Sequence, residues 1–310
     1  MLLKLGSKGK DVKLLQEFLN LSVDGIFGPK TEIAVKEWQS KFGLIPDGIV
    51  GPATWESMGI ASTDISETET GDYEGIDIKE YFLPEGQYKK GPVDKEYLFL
   101  HHTAGWNNPY KTIRNWSSDD RGAIATEFVI GGPSIKGNDS DYDGEIVRCI
   151  PNGGYGWHLG KNGSQHMHIH SVGIEVCNFG YLTQGGYTNR YGDWVSKDPE
   201  GFYTYVGTKA DPSQIVELEE EFRGHKFWHR YSDKQIESLR QLILFISERD
   251  GINIFKGLVD EIKKHGVSAF EYNEDAYYGR VKGMWTHTNT RKGKSDMFPQ
   301  QELIDMLLSL

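Results

Sequence analysis

Ten histidines and 45 acidic residues are spread over the 310 positions of the chain, and three of them could share a metal ion. His101 follows directly on the apolar run Tyr97-Leu98-Phe99-Leu100. His287 closes Met284-Trp285-Thr286-His287, and Asp296 comes nine residues later in Lys294-Ser295-Asp296. Two imidazoles and one carboxylate suffice to bind catalytic zinc and leave one coordination position for water. Spacing alone does not select these three, because so many histidines and acids always offer a His/His/Asp triple.

The elements that would carry them can be read from the apolar pattern. Tyr97 to Leu100 reads as a buried strand that ends at His101, and Ile124 to Ile130 and Val172 to Val176 read as further strands. Ile236, Leu239, Ile243 and Ile246 recur at helical spacing within Ser232 to Arg249, with Ser232 or Asp233 as the cap. A closing helix covers residues 299 to 308. Strands mixed with helices over residues 76–310 predict an α/β domain, a mixed central sheet flanked by helices.

The first sixty residues are built differently. Asp24-Gly25-Ile26-Phe27-Gly28-Pro29-Lys30-Thr31 is echoed by Asp47-Gly48-Ile49-Val50-Gly51-Pro52-Ala53-Thr54 at an offset of 23. Each copy supplies an Asp-Gly turn and then a proline suited to the first turn of a helix. Val12, Leu15 and Leu19 share one helical face, and Ala34, Trp38 and Phe42 another. A small all-α, three-helix domain over residues 1–60 is expected. Residues 61–75 hold five acids and no base among Ser, Thr and Gly, the composition of a flexible acidic linker.

Composition excludes several roles. The net charge of -11 and the lack of a basic stripe argue against nucleic acid as a partner. No apolar run approaches the roughly 20 residues of a membrane span, so membrane insertion is not expected. The opening Met1-Leu2-Leu3-Lys4-Leu5-Gly6 is too short for the apolar core of a secretory signal, which predicts synthesis in the cytoplasm and release or delivery to any outside target. Cys149 and Cys177 are too few for a disulfide framework and read as buried thiols. A monomer is expected.

The doubled Asp-Gly-x-x-Gly-Pro-x-Thr resembles the three-helix peptidoglycan-binding domain over residues 2 to 58, which implies wall binding. Leu98-Phe99-Leu100-His101-His102-Thr103-Ala104 resembles the first-ligand strand of the N-acetylmuramoyl-L-alanine amidases of the second type, whose fold the phage lysozyme-type amidases and peptidoglycan recognition proteins share. Trp157-His158-Leu159-Gly160 is similar to the family's Trp-His-Ala-Gly segment. Ser171-Val172-Gly173-Ile174-Glu175-Val176 resembles its strand with the catalytic glutamate, and His287 followed by Lys294-Ser295-Asp296 resembles its closing segment.

The resemblance implies that His101, His287 and Asp296 bind Zn2+. It implies that Glu175 takes a proton from the bound water, that Lys294 stabilises the oxyanion, and that His158 lines the substrate groove. It also favours His101 over His102, since strand alternation turns only one of the two toward a metal. Asp296 stands where other members have cysteine, as in one branch of the family, and Cys177 is not expected to be a ligand. Thr126 takes the place of a tyrosine that helps catalysis in some phage members, and Glu127 departs from the His or Tyr common on that strand. His166, His168 and His170 would share one face of an extended segment; outward-facing strand residues fit them better than a second metal site, since the family places no ligands there. The aromatic-rich insertion 179–231 either extends a glycan groove or packs as a hairpin, packing being favoured.

The function implied is zinc-dependent hydrolysis of the amide between N-acetylmuramic acid and L-alanine of peptidoglycan, as a phage endolysin or related lytic enzyme, virion-mounted or injected forms included. A non-catalytic peptidoglycan-binding protein and a zinc peptidase cutting within the stem peptide are the alternatives.

Overall fold

A computed structural model describes residues 3–58, 76–91, 94–160 and 163–310. The chain divides into two compact units, Met1–Glu69 and Thr70–Leu310. The expected linker, 61–75, lies outside the described residues.

In the first unit the helices Lys10–Phe18, Pro29–Lys41 and Pro52–Ser57 close over Val12, Leu15, Phe27, Val35, Val50 and Trp55. The 23-residue repeat extends further back than the turns. Gln16 Nε2 donates to Asp24 Oδ1 (2.7 Å), to the Ile26 carbonyl (3.0 Å) and to Thr31 Oγ1 (3.2 Å), while Gln16 Oε1 accepts from Gly25 N (2.8 Å). Gln39 repeats every one of these bonds with Asp47, Ile49, Thr54 and Gly48. Gly25 and Gly48 sit at φ 70° and 75°, a left-handed conformation that glycine adopts without a Cβ penalty. These polar circuits also shift the expected face of the second helix. Its buried residues are Thr31, Val35 and Gln39, four apart, while Phe42 is exposed and stacks on Trp38 at 4.1 Å.

The second unit is organised on a six-stranded sheet. Its order is Ile78–Glu80, Ile146–Arg148, Phe128–Ile130, Ser171–Val176, Tyr97–His102, Gly283–Thr286. All neighbours are parallel except Phe128–Ile130 with Ile146–Arg148. Parallel strands are buried on both faces, which explains the near-continuous apolar runs. Leu98, Leu100, Val172, Ile174, Val176 and Met284 face the helices Asp233–Asp250, Leu258–His265 and Gln301–Leu308. On the opposite face Val129, Val147, Cys149 and Cys177 pack with Ile113 of the helix Pro109–Ser117, so both cysteines are buried thiols. The mixed sheet flanked by helices is as expected.

Three local expectations are corrected. The strand expected over 124–130 is shorter, Phe128–Ile130; Ala125, Thr126 and Glu127 before it are buried but outside the strand, with Thr126 Oγ1 donating to the Phe128 carbonyl at 3.0 Å. Ser232 caps the long helix in a reciprocal pair with Gln235 (3.0 and 3.2 Å), but the closing helix starts only at Gln301. The histidine triplet is not extended: Ser164 caps a short helix Gln165–Ile169 by accepting from Met167 N (3.1 Å). A turn of helix places His166 and His170 in contact, ring centroids 4.3 Å apart, with His166 bound to Glu96 (2.8 Å) and His170 to the Asp94 carbonyl (2.9 Å).

The segment 179–231 is more than a hairpin. It holds a four-stranded antiparallel sheet, Phe202–Tyr203, Tyr181–Gln184, His225–His229 and Ile215–Phe222, and a second pair, Gly186–Thr188 with Trp194–Ser196. Trp228 and Phe222 pack into the main core, consistent with packing as the principal role of those aromatics.

Candidate metal and catalytic site

Strand register assembles the site at the carboxyl ends of three parallel strands, the position where open α/β sheets place ligands. His101 lies opposite Glu175 in the pairing of Tyr97–His102 with Ser171–Val176, so both side chains share one face. His287 comes one residue after the pair Thr286–Leu100 and begins a helical turn, His287–Thr290, capped by Thr286 and Asn289. Asn289 is in turn tied to the Ala269 and Glu271 carbonyls at 2.8 and 2.6 Å, which fixes the turn. Asp296 reaches the same point from the irregular segment that precedes the final helix.

The three proposed ligands converge. His101 Nδ1 and His287 Nδ1 are 3.0 Å apart, and Asp296 Oδ2 lies 3.4 Å from the first and 2.9 Å from the second. Zinc bonds of about 2.0–2.2 Å set tetrahedrally around one centre imply ligand atoms roughly 3.3–3.6 Å apart. The three atoms therefore fit one face of such a tetrahedron to within a few tenths of an ångström. All three residues are buried, and among the described residues this is the one cluster of His, Cys, Asp or Glu able to hold a metal ion.

Electrostatics suit the same task. Burial drives the His101 pKa down to about 4, keeping its imidazole neutral and its lone pair available. Burial alone would raise the Asp296 carboxyl, but His287 and His101 together outweigh it and hold it well below the usual carboxylate range. Glu175 behaves oppositely. Burial pushes its pKa up to about 8, with the Asp296 charge adding to the rise and Lys294 opposing it.

A cavity of about 380 Å³ opens over the cluster and is lined by His101, His158, Glu175, His287, Lys294 and Asp296. All six expected site residues are thus brought together. His158 is buried, with Nδ1 3.0 Å from His101 Nε2 and Nε2 2.7 Å from Ser171 Oγ. Both its nitrogens are engaged by the protein, and the chain Ser171–His158–His101 holds the outer nitrogen of a proposed ligand. His102 points elsewhere, to Tyr231 and Met297. Sequence reasoning missed Ser171, which shares strand parity with Glu175, and Trp116 and Arg121, which also line the cavity and for which no signal existed. Glu127 takes no part; it is buried between Arg148 (2.8 Å) and Arg249 (2.7 Å).

Residues 90–276 match the N-acetylmuramoyl-L-alanine amidase family, more than half of the chain. The chain belongs to that family. The matched span of this amidase family member holds His101, His158 and Glu175, while His287, Lys294 and Asp296 lie beyond it and join the site through the fold. Residues 8–58 match the peptidoglycan binding domain family. Among curated proteins, an uncharacterised protein of Kitasatospora aureofaciens is 42% identical over 69 residues, 20% of this chain and 58% of the relative. A zinc D-Ala-D-Ala carboxypeptidase of Streptomyces albus G is 43% identical over 61 residues, 17% of this chain and 24% of the relative. The chain thus spans less than two thirds of either. A solved Clostridium acetobutylicum structure, a fused zinc-dependent amidase/peptidase/peptidoglycan-binding protein, is 36% identical over 23% of this chain and 34% of its own, with a TM-score of 0.19. Among the described residues, no helix is long and apolar enough to cross a membrane.

Proposed function

We propose that this amidase family member is a zinc-dependent hydrolase of the bond between N-acetylmuramic acid and L-alanine in peptidoglycan, acting as an endolysin or a related wall-lytic enzyme. The observation that carries the reading is the convergence of His101 Nδ1, His287 Nδ1 and Asp296 Oδ2 on one point, with Glu175 in register beside His101. The pairing of this unit with one of the peptidoglycan binding domain family supports the wall as the location of the substrate, since tethering raises local concentration at an insoluble polymer.

When bound by His101, His287 and Asp296, zinc supplies Lewis acidity toward a carbonyl oxygen and toward water. The Glu175 carboxylate takes one proton from the water that attacks the amide carbon. A cation held by His101, His287 and Asp296 would oppose the burial that raises its proton affinity and so favour the carboxylate form this step needs. The carbon–nitrogen bond then breaks, and Glu175 returns the proton to the leaving nitrogen, freeing the L-alanine amine. Lys294 lines the cavity, and its ammonium would stabilise the negative charge that develops on the carbonyl oxygen. His158 meets the substrate through ring carbons, its nitrogens being engaged by His101 and Ser171.

The test is mass spectrometry of soluble products from purified sacculi, with and without a chelator. Stem peptides beginning at L-alanine, lost on chelation and restored by zinc, are expected. His101→Ala should abolish their release while cosedimentation with the wall persists. Peptides cut internally would replace the reading with a stem-peptide peptidase, and full activity of the variant would remove the metal site.

A further inference from the structure

We propose that His102, the neighbour of His101, is a positioning residue for Asp296, acting through the peptide bond that follows the carboxylate. The inference rests on Asp296 being a metal ligand. His101 stands on a strand and His287 opens a capped turn, but Asp296 comes from a segment without regular structure, and a ligand there needs something to hold it.

The peptide after Asp296 is held by His102. Met297 N donates to His102 Nδ1 at 3.1 Å, and Tyr231 Oη lies 2.7 Å from the same nitrogen. A main-chain N–H can only donate, so His102 Nδ1 is an acceptor and its proton sits on Nε2; the Tyr231 hydroxyl therefore donates to Nδ1 as well. Met297 has φ 61°, a left-handed conformation rare for a residue with a side chain, and that side chain is wholly buried. Such a backbone persists where its surroundings over-determine it.

The surroundings do so here. Gln300 joins the Tyr231 main chain on both sides, accepting from Tyr231 N at 2.8 Å and donating to the Tyr231 carbonyl at 3.0 Å. Phe298 stacks on Tyr231 with ring centroids 4.5 Å apart. Gly180 makes room for the imidazole, since a Cβ there would lie 2.9 Å from His102 Nε2. Consecutive histidines on one strand thus divide the work: one faces the metal cluster, the other grips the segment that brings the third ligand.

The test uses the full chain carrying His102→Leu, which removes the acceptor, and His102→Asn, whose Oδ1 can stand near the place of Nδ1. Zinc affinity is measured by competition with a chromophoric chelator, and thermal midpoints are taken on the metal-free proteins. H102L should bind zinc about 10–100-fold more weakly, the usual effect of losing a partner behind a ligand. H102N should stay within about threefold of wild type by the same comparison. A lower midpoint with unchanged zinc affinity in H102L, or equal losses in H102L and H102N, would overturn the proposal. Should H102L fail to fold, His102→Phe, which keeps a ring and lacks the acceptor, takes its place: weaker zinc affinity is expected, and an unchanged one overturns the proposal. Asp296→Ala run alongside separates the two levels, because wild-type zinc affinity in that variant would refute the ligand assignment itself.

Discussion

Gly173 sits at the centre of the strand that carries Glu175, opposite Phe99, on the face that looks toward His158. A Cβ added there would lie 2.7 Å from Thr126 Cγ2, 3.0 Å from Thr126 Cβ and 3.2 Å from His158 Cγ. Carbon atoms rest at about 3.5–4.0 Å, so Gly173→Ala forces Thr126 back by roughly 1 Å and His158 by a few tenths. Overpacking of this kind costs about 1–3 kcal/mol, offset in part by the ~0.5–1 kcal/mol that alanine gains over glycine in a strand. The larger effect falls on the metal. Displacing His158 loosens its 3.0 Å contact with His101 Nε2, and outer partners of ligating histidines are worth about 10-fold or more in affinity. Chelator competition on G173A should show that loss alongside a modest fall in the metal-free melting point. Thr126→Ser in the G173A background removes the nearest carbon while retaining a hydroxyl for the Phe128 carbonyl (3.0 Å in wild type), so stability should recover while the zinc deficit remains. Wild-type zinc affinity in G173A would refute the idea that His158 orients His101.

Two further outcomes are expected. Gln39→Leu deletes four hydrogen bonds at about 1 kcal/mol net each, comparable with the whole stability of so small a unit, roughly 3–8 kcal/mol; wall cosedimentation should fail while turnover of a soluble substrate persists. Burial lowers the His229 pKa to about 3, so the unfolded chain binds this proton first and stability falls as pH drops from about 6.5 toward 3, at up to about 1.4 kcal/mol per pH unit from this group. His229→Asn, which can still accept from Phe179 N, should flatten acid unfolding curves over that window; an unchanged slope would count against the assignment.

The parts of the site legible in the sequence were those set by recurring words. His101 and Glu175 were legible through the resemblance of their segments to the family's, whereas the register that sets them opposite each other on one face came only with the fold. Gln16 and Gln39 went unread because a glutamine on a helix looks like surface, although the 23-residue offset already linked them. The histidines at 166, 168 and 170 misled because three alternate residues suit a strand as well as a turn of helix, and the cap at Ser164 was the signal that separated them. Glu127 could not be read at all: one of its arginine partners lies 122 positions away, and no local pattern announces such a pair.

The neck of the segment 179–231 has a consequence of its own. Asn178 Nδ2 donates to the His229 carbonyl at 2.7 Å, His229 N to the Gly180 carbonyl at 2.9 Å, and Phe179 N to His229 Nδ1 at 3.1 Å. The two ends of this excursion are therefore stapled within a few residues of Glu175. Once the ends of a loop are joined, each doubling of its length adds only about 0.6 kcal/mol of closure entropy. Length changes are therefore cheapest in the outlying pair Gly186–Thr188 with Trp194–Ser196, where Tyr191 and Trp194 are exposed, whereas Phe222 and Trp228 pack into the main core and fix the rest of the excursion in place. A tip that grows or shrinks there leaves the geometry around Glu175 as it is.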